Sequence, residues 1–215
     1  MIDTDKISET LRESIYQFIK ESIIKNEIRP NETINKRMLM DKFKASMTPI
    51  KDAIIKLQAE GYVTMDASRN AVAREISHEE FIQMNKTMAL LDEYACLEAL
   101  HKLSEDDLVA LQKLTEEMET YCNGDTLEKY LEINSQIHIH IWNTMKNDYL
   151  FSLIKRTLDF ILMYDTQVLY SLWSMDSLSL NKYVKYHRKL LEALKDKDRP
   201  KLKRIVKNHW PGWSK

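Results

Sequence analysis

Apolar side chains recur at three- and four-residue intervals along most of this chain, which is the spacing of helices with one buried face. Leu11, Ile15, Phe18, Ile19 and Ile23 trace such a face on a first helix over about Glu9–Asn26. Pro30-Asn31 predicts a turn, and Glu32-Thr33-Ile34 a very short strand. Asn35 then caps a short helix with Leu39, Met40 and Phe43 on its apolar side. Lys44-Ala45 makes a tight turn, and Ser46 caps a second short helix. Pro49 falls in its first turn, where a missing N–H costs little. Ile50, Ala53, Ile54 and Leu57 point inward, which leaves Thr48, Lys51 and Asp52 facing out near the helix start. After Gly61 the pattern changes. Tyr62–Met65 and Ala71–Ile76 read as strands around the turn Asp66–Asn70, with Asn70 suited to the left-handed conformation. Three helices and a hairpin in this order predict a winged helix-turn-helix, whose second motif helix enters the DNA major groove.

A different texture begins at Ser77-His78-Glu79-Glu80, which has capping-box spacing. Phe81, Met84, Met88, Leu91, Ala95 and Ala99 form a long stripe. Ser104 through Asp107 cap a second helix with Leu108, Leu111, Leu114 and Met118. Asn123-Gly124-Asp125 turns the chain into a third helix reaching about Met145. Further helices follow over about Tyr149–Leu172, Asn181–Lys195 and Arg199–Asn208, with an interruption around residues 174–179. The expected fold is therefore mostly α: residues 1–77 a winged helix-turn-helix, residues 78–215 an all-helical bundle of about six helices.

Composition agrees with that outline. Gly occurs 3 times and Pro 4 times in 215 residues, too seldom for a turn-rich β protein. No apolar run is long enough to span a membrane, and the acidic, polar start does not read as a signal peptide. Cys96 and Cys122 lack metal-site spacing and read as reduced, buried thiols of a cytoplasmic protein. The net charge of −1 means that nucleic-acid binding must rest on a local patch. Lys36, Arg37, Lys42, Lys44, Lys51 and Lys56, against Asp41 and Asp52, supply one around the motif.

In the helical part, polar residues stand at positions that periodicity turns inward. Leu127, Leu131, Asn134, His138, Ile141 and Met145 share one face. Tyr183, His187, Leu190 and Leu194 share another, and Leu202, Ile205, Val206 and His209 a third. Buried imidazoles and amides need partners. A single core histidine is ordinarily satisfied by a hydrogen bond. Three on separate helices, with an amide one turn before the first, are economically satisfied by one shared divalent metal. Periodicity alone does not bring them together. His140, two residues from His138, reads as surface.

The run Ser46-Met47-Thr48-Pro49-Ile50-Lys51-Asp52-Ala53-Ile54, followed by Leu57, Glu60, Gly61, Tyr62 and Val63, resembles the GntR family of bacterial transcription regulators. The helical part resembles, more loosely, the FCD effector domain of one GntR subfamily. The resemblance implies a homodimeric regulator, expected to be a repressor, that reads a short palindromic operator in double-stranded DNA. Lys36, Arg37, Ser46, Met47, Thr48 and Lys51 would meet DNA, with Arg69 reaching out from the wing. It also implies a divalent metal, zinc with nickel or manganese as alternatives, on Asn134, His138, His187 and His209, beside a small-molecule effector such as an organic acid. Departures from the family pattern bear on specificity. Met47 and Lys51 replace arginines, and lysine lacks the two-pronged contact that arginine makes with guanine. Asn70 stands where the wing glycine is expected, and Asn134 where an Asp is usual. The family's Arg-x-x-Leu-Glu becomes Met88-Ala89-Leu90-Leu91-Asp92, without the arginine that serves a carboxylate effector. Two other functions fit the residues: a metalloenzyme on the three histidines, and a helical interaction protein with weakened DNA specificity. The first lacks an HExxH motif or an evident nucleophile–base pair, so a non-enzymatic regulator is expected.

Overall fold

The computed structural model describes residues 4–121, 127–172 and 181–210. Their order is α1 (Thr4–Ile24), α2 (Lys36–Phe43), α3 (Met47–Glu60), β1 (Val63–Met65), β2 (Ala71–Ala73), α4 (His78–Ala99), α5 (Glu105–Thr120), α6 (Leu127–Asn143), α7 (Asp148–Leu172), α8 (Asn181–Lys195) and α9 (Arg199–His209). The predicted turn at 123–125 and the interruption at 174–179 lie outside the described residues, as does Cys122. Among the described residues no helix is long and apolar enough to cross a membrane. The chain divides into two compact units. One holds the described residues up to Ile76 with Met163–Gln167; the other holds Ser77–Leu162 and the described residues from Val168 on.

The first unit is a winged helix-turn-helix. Ile15, Ile19 and Ile23 of α1, Leu39 of α2, and Ile50, Ala53 and Leu57 of α3 are all buried. Asn35 accepts the Met38 amide and caps α2 as its sequence predicts. Lys44 ends α2 in the left-handed region at φ 49°, and its N–H returns to Met40 O. A left-handed non-glycine residue costs about 1–2 kcal/mol, and here that conformation turns the chain directly into α3. Gly61 closes α3 at φ 86°, where glycine carries no such cost. The α1–α3 seam is polar at its edge. Tyr16 Oη donates to Glu60, and Lys56 donates to Glu13 at 2.9 Å while lying 3.8 Å above the Tyr16 ring.

The hairpin departs from expectation in two ways. Its strands are shorter, pairing Val63 with Ala73, Thr64 with Val72 and Met65 with Ala71. Tyr62 lies before β1, and the short strand expected at 32–34 survives only as a bridge from Thr33 to Val72. The left-handed residue of the turn is Arg69, at φ 61°, and not Asn70. Asn70 instead gives its side chain and backbone N–H to the Asp66 carboxylate, which holds Asn70 in place and moves the reversal one residue earlier.

The second unit is all helix. Ser77 and Glu80 form the expected capping box at α4, and Ser104 and Asp107 form one at α5. Asp198 caps α9, with Pro200 in the first turn. α4 packs on α6 and α9, α5 on α6 and α8, and α8 on α9. The core includes Met88, Ala95, Leu111, Met118, Ile133, Ile137, Trp142, Leu190, Leu202 and Val206. The inner face of α4 is the predicted one at Phe81, Met88, Ala95 and Ala99 and differs at two positions. Asn85 and Asp92 are fully buried, and Met84 and Leu91 are half-buried. A hydrophobic pattern sends the apolar neighbour inward; at Asp92 two indoles and a thiol inside the bundle reverse that choice, whereas the Asn85 amide donates to Phe81 O of its own helix.

Candidate nucleic-acid interface and metal centre

In the first unit the basic residues sort into two sets. Lys42 lies 4.5 Å over the Phe18 ring, Lys20 4.7 Å over Tyr62, and Lys56 is engaged with Glu13 and Tyr16. Those cations hold α1 against α2, α3 and the segment that leads into β1. Arg37, Lys51 and Arg69 are exposed and have no charged or hydrogen-bonding side-chain partner among the described residues. Arg37 lies in the first turn of α2, Lys51 in the second turn of α3, and Arg69 at the tip of the wing. Ser46 and Thr48 are exposed around the start of α3, and Lys36 and Met47 are half-buried. Ser46 occupies the N-cap position in extended conformation, but its side chain makes no capping hydrogen bond. The hydroxyl expected to cap the helix is thus free for another acceptor or donor. An exposed helix start with N–H groups, hydroxyls and uncommitted cations suits phosphate oxygens and base edges.

In the second unit three imidazoles from three helices converge. His138 of α6 is 0% exposed and His187 of α8 is 1% exposed. His138 Nε2 lies 3.1 Å from Nε2 of His209, on α9, and 3.3 Å from Nε2 of His187. One ligand atom from each ring lies within 4.8 Å of the others. A neutral ring nitrogen is either one donor or one acceptor, so His138 Nε2 cannot satisfy both neighbours. A divalent ion can satisfy all three. Two nitrogens bound to one tetrahedral zinc at 2.0–2.1 Å stand about 3.3 Å apart, close to the spacing seen here. Asn134 is half-buried one turn before His138 on α6. The donor set therefore fits a borderline cation such as zinc.

The surroundings hold the rings in the form that ligates. Burial pushes His138 down to about 3. Burial, then the charges of His138 and His187, push His209 well below its ordinary value. Neutral imidazole is the ligating species. Tyr186 stacks on His209 with centroids 3.6 Å apart and planes 14° from parallel, which fixes that ring's plane. The Tyr186 hydroxyl is buried with no hydrogen-bond partner among the described residues, and burial raises its pKa well above the usual value.

Behind His138 lies a buried carboxylate. Asp92 is 0% exposed, and it accepts the indole N–H of Trp142 at 2.7 Å and of Trp210 at 2.8 Å. The Cys96 thiol donates to it at 3.4 Å, and its Oδ2 lies 3.8 Å from His138 Nδ1. Burial raises the Asp92 carboxyl above its ordinary pKa, against the lowering effect of these donors. In the sequence Asp92 stands out only as the end of the Met88–Asp92 run. A usable signal was present: Phe81, Asn85, Met88, Asp92, Ala95 and Ala99 also keep helical spacing. His140, read as surface, is half-buried and lies 2.8 Å from Asp107.

A winged helix-turn-helix with an exposed, basic helix start is the architecture of a DNA-binding protein. Residues 11–71 match the family described as bacterial regulatory proteins, gntR family, and residues 83–211 match the FCD domain. The chain belongs to the GntR family of transcription regulators and carries an FCD domain. It is 22% identical over 196 residues to the HTH-type transcriptional regulator YdhC of Bacillus subtilis, covering 91% of this chain and 85% of YdhC. It is 19% identical over 181 residues to the HTH-type transcriptional regulator McbR of Escherichia coli, covering 84% of this chain and 80% of McbR. The solved structure of E. coli McbR/YncC superposes with a TM-score of 0.78 at 19% identity, over 93% of each chain. That of a putative GntR regulator from Rhodococcus sp. RHA1 gives 0.74 at 10% identity, again over 93% of each. At these identities the structural likeness concerns the fold.

Proposed function

We propose that this regulator binds a short palindromic operator as a homodimer and acts as a repressor whose grip on DNA is set by its helical domain. Residues 1–77 form the DNA-binding domain and 78–215 the effector-binding and dimerisation domain. The observation that carries the reading is the sorting of cations: Arg37, Lys51 and Arg69 are exposed and uncommitted, while Lys42 and Lys56 are spent on packing. Lys51 neutralises a phosphate or meets a single guanine acceptor. Ser46, Met47 and Thr48 approach base edges at the start of α3, Lys36 and Arg37 meet the backbone, and Arg69 enters the adjacent groove. His138, His187 and His209, with Asn134 as the fourth donor, hold a divalent ion, zinc before nickel or manganese. When bound, the ion supplies a Lewis-acid centre for an oxygen-bearing effector such as an organic acid. With Met88 in place of an arginine, that effector is held by the ion and by neutral donors rather than by a guanidinium. It acts on DNA only as far as it prefers one arrangement of the paired DNA-binding domains.

The reading as a sensor rather than a metalloenzyme is supported by Asp92. The carboxylate beside the histidines sits behind His138 and is taken up by two indoles and a thiol, so it is poorly placed as a general base. The test is selection of bound fragments from genomic DNA with the purified full chain. Enrichment of one inverted repeat, released by a metabolite that is not turned over, supports the regulator. Unselective recovery of fragments supports a helical interaction protein instead, and turnover of the metabolite supports an enzyme.

A further inference from the structure

We propose that Asp92 is a positioning residue of the three-histidine centre, supplying from behind His138 the negative charge that Asn134 does not. The inference rests on the metal reading above and goes beyond it in assigning a role to a residue that does not face the convergence point. His138 turns Nε2 toward His187 and His209, so its other ring nitrogen, Nδ1, must carry the proton of the neutral ligating form. That atom is buried, has no hydrogen-bond partner among the described residues, and lies 3.8 Å from Asp92 Oδ2. Closing the gap by about 1 Å makes a charge-assisted N–H···O bond. Such a bond fixes the ring's tautomer and plane and makes Nε2 a stronger donor to a cation.

The other contacts of Asp92 bear on the same centre. Trp142 follows His138 by one turn on α6, and Trp210 follows His209 directly after α9. Both indoles donate to Asp92, so one carboxylate on α4 ties down both ligand-bearing segments. A carboxylate at 0% exposure is costly to keep ionised, and two indole donors and a thiol offset only part of that cost. A divalent ion beyond His138 offsets more. An amide at position 92 would keep an acceptor for an indole without the charge, so a purely structural hub and a charged positioning residue respond differently to Asp92→Asn.

The experiment uses the full chain and Zn²⁺ alone, with affinity measured by competition against a chromophoric chelator at neutral pH. Asp92→Asn is expected to weaken zinc binding about 10–100-fold. Asp92→Glu retains most of the affinity, and Asn134→Asp added to Asp92→Asn recovers most of what was lost. In zinc-loaded wild-type chain, ¹⁵N-resolved NMR shows His138 with a protonated, slowly exchanging, strongly downfield Nδ1–H. This second readout does not depend on the variants folding. Wild-type affinity in Asp92→Asn, or a His138 Nδ1 without that proton, overturns the proposal even though zinc binds. Failure of the wild-type chain to bind zinc overturns the metal centre itself and this role with it.

Discussion

His187→Gln probes the three-histidine centre with least disturbance, because glutamine keeps much of the volume and can still hydrogen-bond. The His187 side chain is buried, with Nε2 3.3 Å from His138 Nε2. Without metal the substitution exchanges a neutral contact with His138 for that of an amide, a change of about 1 kcal/mol. With metal the expected difference is larger. An ion bound only by the folded chain, at one hundred times its dissociation constant, stabilises by about 2.7 kcal/mol. The FCD match spans 83–211; for about 130 residues, with an unfolding entropy near 2.1 cal/mol/K per residue, that free energy raises Tm by roughly 10 °C. Thermal melts of wild type and variant, each with excess zinc and with a chelator, make the comparison. Wild type is expected to show the full rise and His187→Gln a small fraction of it, with the two chelated samples melting close together. Equal zinc-induced rises in both chains, or none in wild type, refute the reasoning.

Lys51→Ala is expected to reduce the slope of log affinity for DNA against log salt by about 1 without changing stability, whereas Lys56→Ala, which loses Glu13 and Tyr16, lowers stability and leaves the slope alone. Filter binding over a salt series, with denaturant melts beside it, separates the two. Arg69→Gly relieves the left-handed backbone at the wing tip, so stability rises by up to about 1 kcal/mol while affinity for DNA falls; a loss of stability would contradict the turn geometry. Burial holds His138 near 3 against an ordinary 6.5, so the metal-free unfolded chain binds the proton first as pH falls. Stability tied to this ring is intact above about pH 6.5 and is lost toward pH 3, reaching about 2 kcal/mol by pH 5. His209 adds a loss of the same sign, and Asp92, shifted upward, offsets part of it below its own raised pKa. Urea titrations of metal-free protein between pH 7.5 and 5 measure the slope, and a flat profile would refute it.

The helix-turn-helix was legible because each of its signals is local. Pro49 near a helix start, Gly61 at a helix end and an unbroken inward set from Ile50 to Leu57 admit one arrangement. The wing was less so. Asn70 is the better left-handed residue by propensity, but its bonds to Asp66 put the reversal at Arg69, and hydrogen bonds across a turn are not written in single-residue preferences. For the metal centre, periodicity placed each histidine on an inward face but was silent on convergence, which depends on how α6, α8 and α9 pack. The same limit hid Asp92. A pattern that scores apolar residues inward prefers Leu91, and the indoles of Trp142 and Trp210, 50 and 118 residues away in sequence, offset part of the cost of burying the carboxylate.

The most direct test of the central claim is the affinity of the purified chain for its selected inverted repeat against a shuffled duplex of equal composition, at physiological salt. An exposed α3 start with Arg37, Lys51 and Arg69 uncommitted predicts a preference of about 10³-fold or more, which Thr48→Ala and Lys51→Ala together reduce. Equal affinity for the two duplexes, unchanged by those substitutions, would contradict it.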